Sequence, residues 1–589
     1  MREHIRLLLT QALLQVAHQD SKSIDLPAFV VEPCKDRQHG DWASNIAMVS
    51  ARMFGRAPRQ LAEEILKALP QDHSVASATL AGPGFINFRL KQDGGRRILS
   101  SILENPFYGN SSLGDGQKIQ VEFVSANPTS ALHVGHGRGA AYGMTVANLL
   151  VSQGYQVQRE YYVNDAGRQM NILATSTFLR YLQACGAELA FPKNGYRGDY
   201  VADIASTLRQ EHGDRFLRST IDLFDHVPED EVTDDQGSII RGDKEAHIDA
   251  LIDASRRLLG EASYRIFFNA ALESILTDIR NDLAEFGVHY DCWYSERSLV
   301  EHGALDRALD RLRAAGATYE EKGALWFRST QYGDDKDRVL VRDNGQTTYF
   351  ASDVAYHLDK FERGFDRVLN IWGADHHGYI SRVRAALEAL GIDSSRLEVR
   401  LVQFVTLWRG DEQIQMSSRS GQFITLRALR EEVGNDAARF YYIMRKSEQH
   451  IDFDLQLATS QSKDNAVYYI QYAHARICSV LRTLQERGGQ LSPDQADWTA
   501  LNGEQEQEII QHLEQFPELV RKAAEEREPH ILAHGLKELA AQFHAWYNQT
   551  KVLVDEPAIA QSRLVLCRCI AQVLRHGLEL LGVSAPDHM

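Results

Sequence analysis

Two histidines, His133 and His136, stand where a predicted strand gives way to a predicted helix. Residues 119–124 alternate and include β-branched side chains, Pro128 ends that strand, and apolar residues then recur at helical intervals. The first turn of a helix has backbone N–H groups without partners and a partial positive charge. With Gly135 between the histidines, this pattern predicts a site for the phosphates of a nucleotide.

The pattern differs from two common nucleotide motifs. It is neither the phosphate-binding loop G-x-x-x-x-G-K-[ST] nor the dinucleotide fingerprint G-x-G-x-x-G, so transfer of a γ-phosphoryl group or a hydride is not indicated. Two plainer interpretations stay open for the histidines alone. One is a zinc pair, although no Cys-x-x-Cys and no third close ligand accompanies it. The other is a simple helix cap.

A second polar segment strengthens the nucleotide interpretation. Residues 415–421 read Gln-Met-Ser-Ser-Arg-Ser-Gly and, taken alone, also suit a polar turn. His-x-Gly-His followed much later by this segment resembles the two signatures, His-Ile-Gly-His and Lys-Met-Ser-Lys-Ser, of class I aminoacyl-tRNA synthetases. Both lysines of the second signature are replaced, by Gln415 and Ser418. Arg419 is the candidate substitute, because a guanidinium can bind phosphate oxygens in bidentate fashion.

Composition indicates a large enzyme from a reducing compartment. The chain has 589 residues, enough for about four domains, and six cysteines without the spacing of a disulfide framework or a zinc site. We therefore expect a cytoplasmic protein without structural zinc. The N-terminal apolar run is interrupted by polar residues, which predicts an amphipathic helix with Leu9, Leu13 and Val16 inward. No run reaches the roughly 20 apolar residues of a membrane span.

The net charge of −16 argues against a nucleic-acid-binding protein, because phosphate contacts depend on lysine and arginine. Composition alone would not predict RNA as a partner. A local basic strip on an acidic protein can still bind RNA, and acidity elsewhere limits indiscriminate binding.

Four regions follow from the patterns along the chain. Residues 1–110 predict a small α+β domain. Residues 111–400 alternate strand and helix, which predicts a Rossmann-like doubly wound parallel sheet with an insertion at about 175–345. Residues 401–460 form a junction that carries the second signature. Residues 461–589 are almost wholly amphipathic helix, which predicts an all-α bundle.

The way in which a synthetase selects its substrate limits which amino acid this chain could use. The chain is too short for the large editing insertion of synthetases for branched aliphatic amino acids, which favours a polar substrate selected by hydrogen bonds. Arginine requires carboxylates that meet a planar cationic fork. Glu122 and Asp353 lie at predicted strand ends, although each alone also suits an ordinary surface acid.

The resemblance extends to one family, the bacterial-type arginyl-tRNA synthetases, over nearly the full chain. The segments that carry it are 121–138, 162–169, 196–200, 286–296, 348–357, 373–377, 415–421, 436–439 and 585–589. It implies an arginine site made of Glu122, Ser125, Asn127, Tyr349 and Asp353. In that site Tyr349 and Asp353 would meet the guanidinium and Asn127 the α-amino end. The family's Asp-Ala-Leu-Arg element reads Asp-Ala-Ala-Arg here.

The same resemblance implies the nucleotide site and the reaction. The implied catalytic residues are His133, His136, Ser417 and Arg419. The implied ATP site comprises His133, Gly135, His136, Gly373, Asp375, His376, His377, Gln415, Met416 and Ser417. ATP, bound with Mg²⁺ as a substrate complex, would react with L-arginine to give an adenylate, from which the tRNA takes the arginyl group. Two other classes stay open: a small-molecule nucleotidyltransferase, and a tRNA-binding paralogue without catalysis.

The C-terminal bundle is expected to bind the anticodon of the arginine tRNA. Tyr469 and Tyr472 share a helix face, and Trp546 and Tyr547 add a second aromatic pair, which suits stacking on unpaired bases. By resemblance, Met589 joins them and the N-terminal domain holds the tRNA elbow. Without the family resemblance, a tyrosine stripe in a bundle indicates core packing. We expect a monomer.

Overall fold

The chain folds into an N-terminal domain, a parallel α/β domain, a junction and a helical bundle. The structure is a computed structural model, which describes residues 2–20, 24–34, 36, 39–72, 75–90, 93–234, 236, 238–414 and 424–589. The predicted second signature, at 415–421, lies outside the described residues, together with its Gln415, Met416, Ser417 and Arg419. Within the described ranges, no helix is both long enough and apolar enough to cross a membrane.

An antiparallel sheet covered by helices forms the N-terminal domain. Its elements are α1 (Arg2–Gln19), β1 (Val31–Pro33), β2 (Trp42–Ser44), α2 (Ile46–Phe54), α3 (Pro58–Ala68), β3 (Val75–Ala81) and β4 (Phe85–Leu90). The strands pair in the order β1-β2-β4-β3. Leu9, Leu13 and Val16 of α1 are buried in its core, which confirms the predicted amphipathic helix.

The next helix, α4 (Asp93–Glu104), packs into a different core. Its Leu99 and Ile102 are fully buried in the cluster that includes the C-terminal bundle. The Cys569 thiol and the Gln572 amide, both on the last helix of the chain, donate to carbonyls at Leu99 and Asn105, at 3.4 and 2.8 Å. Helix α4 therefore packs with the bundle, because its apolar face is covered by bundle helices.

Five parallel strands form the centre of the second region. Its elements are β5 (Lys118–Phe123), α5 (Val134–Ser152), β6 (Gln156–Val163), α6 (Arg168–Ala184), α7 (Asp199–His212), α8 (Thr220–Phe224), β7 (Val232–Thr233), β8 (Ile239–Arg241), α9 (Lys244–Leu259), α10 (Glu261–Glu285), β9 (Cys292–Ser295), α11 (Arg297–Glu301), α12 (Ala304–Ala314), β10 (Thr318–Glu321), β11 (Ala324–Phe327), β12 (Arg338–Val341), α13 (Tyr349–Glu362), β13 (Arg367–Gly373), α14 (Ile380–Ala389) and β14 (Leu397–Val402). The sheet order is β14-β13-β5-β6-β9, and all four pairings are parallel. The predicted doubly wound sheet is confirmed.

The strand order reverses between β5 and β13. From β5 the chain moves to β6 on one side, and much later it returns to β13 on the other side. In open parallel sheets of this kind, ligands bind outside the carboxyl ends of the strands at such a reversal. Any small-molecule site is therefore expected beyond Phe123 and Gly373.

The segment predicted as an insertion, at about 175–345, contributes a strand to the parallel sheet. β9 pairs with β6, with Cys292 opposite Glu160. Four helices and a two-stranded hairpin lie between α6 and β9, and the three-stranded sheet β10-β11-β12 follows it. The sequence does not reveal β9, because its four residues are too few for an alternating pattern.

A small sheet with helices leads into the bundle. The junction contains β15 (Val405–Arg409), β16 (Glu412–Ile414), α15 (Leu426–Val433), α16 (Asn435–Ile443), β17 (Ile451–Asp454) and α17 (Leu455–Thr459). The bundle contains α18 (Ala466–Glu486), α19 (Glu504–Glu526), α20 (Pro529–Gln549) and α21 (Pro557–Leu580). From residue 461 onward the structure shows helices and no strand, so the predicted all-α bundle is confirmed.

Helix α5 lies close to the sheet because Gly143 has no side chain. A Cβ there would overlap the ring of Phe123, which is fully buried. We expect Gly143→Ala to lower the free energy of unfolding by about 1–3 kcal/mol, the usual cost of overpacking a core. Gly139→Ala is the matched control on the same helix, since no atom lies within 4 Å of its Cβ position. It should be neutral or stabilise by up to about 1 kcal/mol, and equal urea unfolding of both variants would contradict this packing.

Candidate active site

Both histidines of the first signature lie at the start of α5. His133 is the N-cap, and its Nδ1 accepts a hydrogen bond from the Gly135 N–H at 3.1 Å. His136 Nδ1 accepts from the His133 N–H at 3.2 Å, and the two rings stack with centroids 3.6 Å apart. The capping interpretation is therefore correct. The histidines can also donate a hydrogen bond to a ligand, because a neutral imidazole that accepts through Nδ1 carries its proton on Nε2.

Burial keeps these two imidazoles uncharged. Desolvation lowers the pKa of His133, and desolvation together with the neighbouring His133 lowers the pKa of His136 to about 3. The histidines therefore offer hydrogen-bond donors, not positive charges, to an anion. No third histidine, cysteine or carboxylate among the described residues completes a metal site with them, so the zinc interpretation finds no support in this part of the chain.

The glycines around the histidines have different surroundings. A Cβ on Gly137 would lie 2.7 Å from Leu426 and 3.1 Å from Tyr442, so this glycine allows α15 and α16 to pack on α5. Gly139, by contrast, has no atom within 4 Å of its Cβ position. The open approach to the helix start is therefore on the Gly139 side.

The chain that follows the second signature forms backbone hydrogen bonds with the first signature. The Val134 N–H donates to the Ile424 carbonyl at 3.2 Å, and the Leu426 N–H donates to the Leu132 carbonyl at 2.8 Å. His133 and Thr425 form an antiparallel bridge between these bonds. Ile424 is the first described residue after the segment 415–421, so the described chain resumes beside His133. Two stretches that are far apart in the sequence thus meet at one helix start.

The carboxyl end of β5 carries an acid and a strained turn. Glu122 is buried, and its Oε1 accepts a hydrogen bond from the Ser125 hydroxyl at 3.0 Å. Val124 and Ser125 have φ angles of 68° and 43°, a left-handed conformation that is a true outlier for a β-branched residue. The turn also lets the Ser125 hydroxyl accept from the Tyr162 N–H at 3.1 Å. Strain of this kind is typical of functional sites.

A fully buried lysine pairs with Glu122. The Nζ of Lys360, on α13, lies 2.5 Å from Glu122 Oε2 and donates to Asn370 Oδ1 at 2.8 Å. The Asn370 amide donates to His357 Nε2 at 2.8 Å, and burial lowers the pKa of His357 to about 3. Lys360 and His357 were not predicted as site residues. Helical spacing is the sequence feature that could have revealed them, because Asp353, His357 and Lys360 lie on one face of α13.

Asp353 and Tyr349 lie one turn apart on α13, on the same side of the helix. The Tyr379 hydroxyl donates to Asp353 Oδ2. Desolvation raises the pKa of Asp353 to about 6, the negative charge of Glu122 adds to this, and the Tyr379 bond opposes it. Tyr349 is more than half exposed. This end of α13 therefore presents an acid that forms no ion pair with any of the described residues.

Glu296, which was not predicted as a site residue, belongs to the same group of acids. It is buried directly after β9, and its Oε2 has no hydrogen-bond partner among the described residues. Desolvation raises the pKa of Glu296 to about 7, with further contributions from Asp353 and Asp165, while the hydroxyls of Tyr162 and Ser352 oppose the rise. Its position directly after a strand could have revealed it, but the sequence pattern did not predict β9.

Asn127 lies on the exposed side of this edge. Its side-chain oxygen accepts from the Asn164 amide at 3.2 Å, and its amide donates to Gln169 at 2.9 Å. These bonds hold the loop after β5 against the loop after β6. The structure therefore brings Asn127 to the same sheet edge as Glu122 and Ser125, as the resemblance implies.

The residues after β13 complete the edge. Gly373 ends the strand, and Asp375, His376 and His377 follow in a single 3₁₀ turn, Ala374–Tyr379. The three side chains are exposed, with His376 Nε2 3.7 Å from Asp375. They lie beyond the strand that neighbours β5, where the sheet order predicts a ligand.

Comparison with known proteins agrees with this arrangement. Three family models match: "Arginyl tRNA synthetase N terminal domain" at 3–90, "tRNA synthetases class I (R), catalytic domain" at 98–188 and 261–478, and "DALR anticodon binding domain" at 470–589. The chain is 55% identical over 593 residues to the arginine–tRNA ligase of Thioalkalivibrio sulfidiphilus, with 100% of both chains covered. It is 58% identical over 564 residues to that of Acinetobacter baylyi, with 94% of each covered.

The chain belongs to the class I arginyl-tRNA synthetase family. Among solved structures, an arginyl-tRNA synthetase from Campylobacter jejuni is 30% identical and superimposes with a TM-score of 0.72, over 85% of this chain and 100% of that one. The Thermus thermophilus arginyl-tRNA synthetase, at 22% identity, a TM-score of 0.74 and full coverage of both chains, supports the fold. Membership of this family removes the small-molecule nucleotidyltransferase as an alternative.

The family's Asp-Ala-Leu-Arg element, here residues 436–439, connects the chain terminus with the catalytic domain. Asp436 accepts a hydrogen bond from the Ser584 N–H at 3.0 Å. Arg439 is buried and donates to the Phe286 carbonyl at 2.7 Å, just after α10. The alanine in place of leucine is fully buried, so the element keeps its apolar contact with a smaller side chain.

An aromatic surface spreads over α18 and α20 of the synthetase bundle. The Tyr468 and Tyr472 rings stack with centroids 6.0 Å apart, and Tyr472 stacks on His544 at 5.6 Å. The Arg476 guanidinium lies 4.2 Å from the centre of the Tyr547 ring. We call these five residues the aromatic surface.

One predicted anticodon contact is wrong. Trp546 is fully buried, and its Nε1 donates to Glu506 at 2.9 Å, because helical spacing turns Trp546 inward on the face that also buries Phe543. Tyr469 is partly buried, and its ring centre lies 4.5 Å from that of His544. Tyr469, Tyr472, Tyr547 and Met589 stay predictions; Met589 is 54% exposed.

The Glu122–Lys360 pair allows a test of how this site is held together. We expect Lys360→Met to lower the free energy of unfolding by about 3–5 kcal/mol, because it leaves Glu122 buried without a counter-ion. The double variant Glu122→Gln/Lys360→Met removes both charges and should recover most of that loss. Urea unfolding of the two variants gives the comparison, and an equal loss in both would contradict a role for the unpaired charge.

Proposed function

We propose that this arginyl-tRNA synthetase joins L-arginine to its tRNA in two steps, at the carboxyl edge between β5 and β13. Family membership supports the reaction. Two observations support this location: residues 132–134 pair with 424–426 at the start of α5, and a group of acids lies at the carboxyl end of the sheet. We propose that the enzyme acts as a cytoplasmic monomer and takes ATP as its Mg²⁺ complex.

The acids define the arginine site. Lys360 already balances Glu122, so Asp353 and Glu296 are the carboxylates left to meet a cation. A guanidinium presents several N–H donors in one plane and keeps its charge at any working pH, which suits two carboxylates of raised pKa. We assign Asp353, Glu296 and Tyr349 to the guanidinium end.

The turn after β5 suits the other end of the amino acid. Glu122 and Ser125 lie at the strand end, and Asn127 follows them on the exposed side. A carboxylate, a hydroxyl and an amide together can accept the hydrogen bonds of an α-ammonium group. We therefore assign Glu122, Ser125 and Asn127 to the α-amino end of arginine.

The start of α5 suits the phosphates of ATP. Its first turn carries the partial positive charge of a helix N-terminus, and the Nε2–H groups of His133 and His136 add two neutral donors. Gly135 lies between these histidines. The edge after β13, with Gly373, Asp375, His376 and His377, is assigned to the rest of the nucleotide. Gln415, Met416, Ser417 and Arg419 are assigned to the phosphates by resemblance alone.

The chemistry needs no protein nucleophile. A carboxylate oxygen of arginine attacks the α-phosphorus of ATP, the bond to the bridging oxygen breaks, and pyrophosphate leaves. The terminal ribose hydroxyl of the tRNA then attacks the arginyl carbonyl, and AMP leaves. Donors that are already in place where negative charge builds up lower the barrier of the first step, and the neutral Nε2–H groups of His133 and His136 fit that role.

Replacing the unpartnered acid tests the arginine site. We expect Glu296→Gln to lower kcat/KM for arginine about 30-fold, or about 2 kcal/mol, because one of two carboxylates facing the guanidinium loses its charge. The KM for ATP should stay unchanged. The measurement is charging of bulk tRNA with labelled arginine, and Glu301→Gln, an exposed acid on α11, is the matched control. Unchanged kinetics would remove Glu296 from the site, and charging with another amino acid, or none, would contradict the function.

The same variant should change the pH profile. The pKa of Glu296 is raised to about 7 and that of Asp353 to about 6, so kcat/KM for arginine in the unaltered enzyme should fall as the pH drops through this range. In Glu296→Gln the upper ionisation is gone, and the midpoint should move down toward pH 6. A profile that keeps its midpoint would show that these acids do not control binding.

The aromatic surface is assigned to the anticodon loop, with Tyr472, Tyr547 and Met589 as contacts. We expect Tyr472→Ala to weaken tRNA binding by about 1–3 kcal/mol, the usual contribution of one base stacked on an aromatic ring. Tyr472→Phe keeps the ring and should bind nearly as well. Filter binding of the arginine tRNA measures both variants, and an equal loss in both would point to the hydroxyl in place of stacking.

A further inference from the structure

A histidine, a cysteine and an aspartate meet where the C-terminal tail, residues 583–589, crosses α18. His474 and Cys478 lie one turn apart on α18, and Asp587 belongs to the tail. One possible ligand atom from each lies within 4.8 Å of the other two, and among the described residues no other such group of three occurs. The cluster is separate from the arginine and nucleotide sites.

The distances in this cluster suit a tetrahedral metal site. Cys478 Sγ lies 3.8 Å from both ring nitrogens of His474 and 3.4 Å from Asp587 Oδ1. Zinc binds thiolate sulfur at about 2.3 Å and imidazole nitrogen or carboxylate oxygen at about 2.0–2.1 Å, so neighbouring tetrahedral ligands are about 3.5 Å apart. The three side chains therefore need only small rotations to hold one ion.

The surroundings orient two of the three groups. His474 is buried, and its Nδ1 lies 3.0 Å from the Pro586 carbonyl, to which it can only donate. That bond leaves the lone pair on Nε2 and is the arrangement that usually supports a metal-bound histidine. Asp587 Oδ1 accepts a hydrogen bond from the Arg575 guanidinium at 2.6 Å, which fixes the position of this carboxylate.

The charges of the three ligands favour a cation that binds thiolate sulfur. With Cys478 deprotonated, the three ligands carry two negative charges, which a divalent ion balances. A hard cation such as Mg²⁺ prefers oxygen ligands and would gain little from the thiol and the imidazole, whereas zinc binds both.

We propose that His474, Cys478 and Asp587 bind one divalent cation of the zinc class, with water as the fourth ligand. The Cys478 thiol loses its proton to solvent as the metal–sulfur bond forms. The bound ion ties the tail to α18 and thereby fixes the position of Met589, two residues beyond Asp587. This site lies beyond the proposed function and does not depend on it.

The full-length chain, freed of metal with a chelator, gives a direct test with Co²⁺ as the probe. We expect a thiolate-to-cobalt charge-transfer band that saturates at one Co²⁺ per chain and that Zn²⁺ abolishes. Cys478→Ser and Asp587→Asn should lose the band. Cys185→Ser is the matched control and should keep it, because Cys185 is also a half-buried thiol beside an aspartate, Asp214. Asp587 is exposed, so its variant serves even if Cys478→Ser does not fold.

A second readout follows the tail itself. With Zn²⁺ at about ten times its Kd, release of Met589 by carboxypeptidase should slow about tenfold, because only the metal-free tail opens. The slowing should be absent in Asp587→Asn. Failure of the unaltered chain to show the charge-transfer band, or a band that survives Cys478→Ser, would overturn the proposal. In that case the tail is docked without a metal, by the Arg575–Asp587 ion pair together with the bonds at Ser584 and Pro586.

Discussion

The backbone hydrogen bonds between residues 132–134 and 424–426 are the contacts on which the active site depends. They join the start of α5 to the chain that follows the second signature. Both partners of each bond are backbone groups, so the bonds do not depend on which side chains are present. Arg138, one turn into α5, supports the same junction. It is almost fully buried and donates to the carbonyls of Gln403 and Lys446 at 2.8 and 2.9 Å. A buried guanidinium needs such acceptors, so α5 and the junction are held in one position.

The acids near this edge fall into two kinds. Glu122 is matched by Lys360, and Asp165 accepts a hydrogen bond from Arg297 at 3.0 Å. Within the described part of the chain Asp353 and Glu296 form no ion pair, and desolvation raises the pKa of each, although the charge of Lys360 partly opposes the rise at Asp353. Because matched charges need nothing further, only the unmatched carboxylates gain strongly from a bound cation. Selectivity for a cationic amino acid therefore follows from which acids lack a counter-ion, more than from how many acids are present.

The bundle and the catalytic domain share more than a linker. Asp436 holds the tail through Ser584, and three residues later Arg439 donates to Phe286, at the turn that leads from α10 to β9. β9 ends at Ser295, directly before Glu296, so one short stretch of chain touches both the terminus that carries Met589 and the turn that leads to an acid of the arginine site. This contiguous packing is a physical route by which anticodon binding and arginine binding can affect each other, and coupling measurements are what would establish it.

Short-range patterns in the sequence were sufficient for most elements, but not for β9 or for Asp353, which was expected at a strand end and lies in helix α13. Periodicity alone predicts the strand 156–163, the helix start at His133 and the all-α bundle, because each depends on neighbouring residues. The tertiary structure decided that Trp546 is core, that Lys360 lies under Glu122 and that Glu296 joins Asp353. These outcomes depend on which elements become neighbours and on how much water they exclude. Residues that are far apart in the chain carry no local sequence pattern that predicts such contacts.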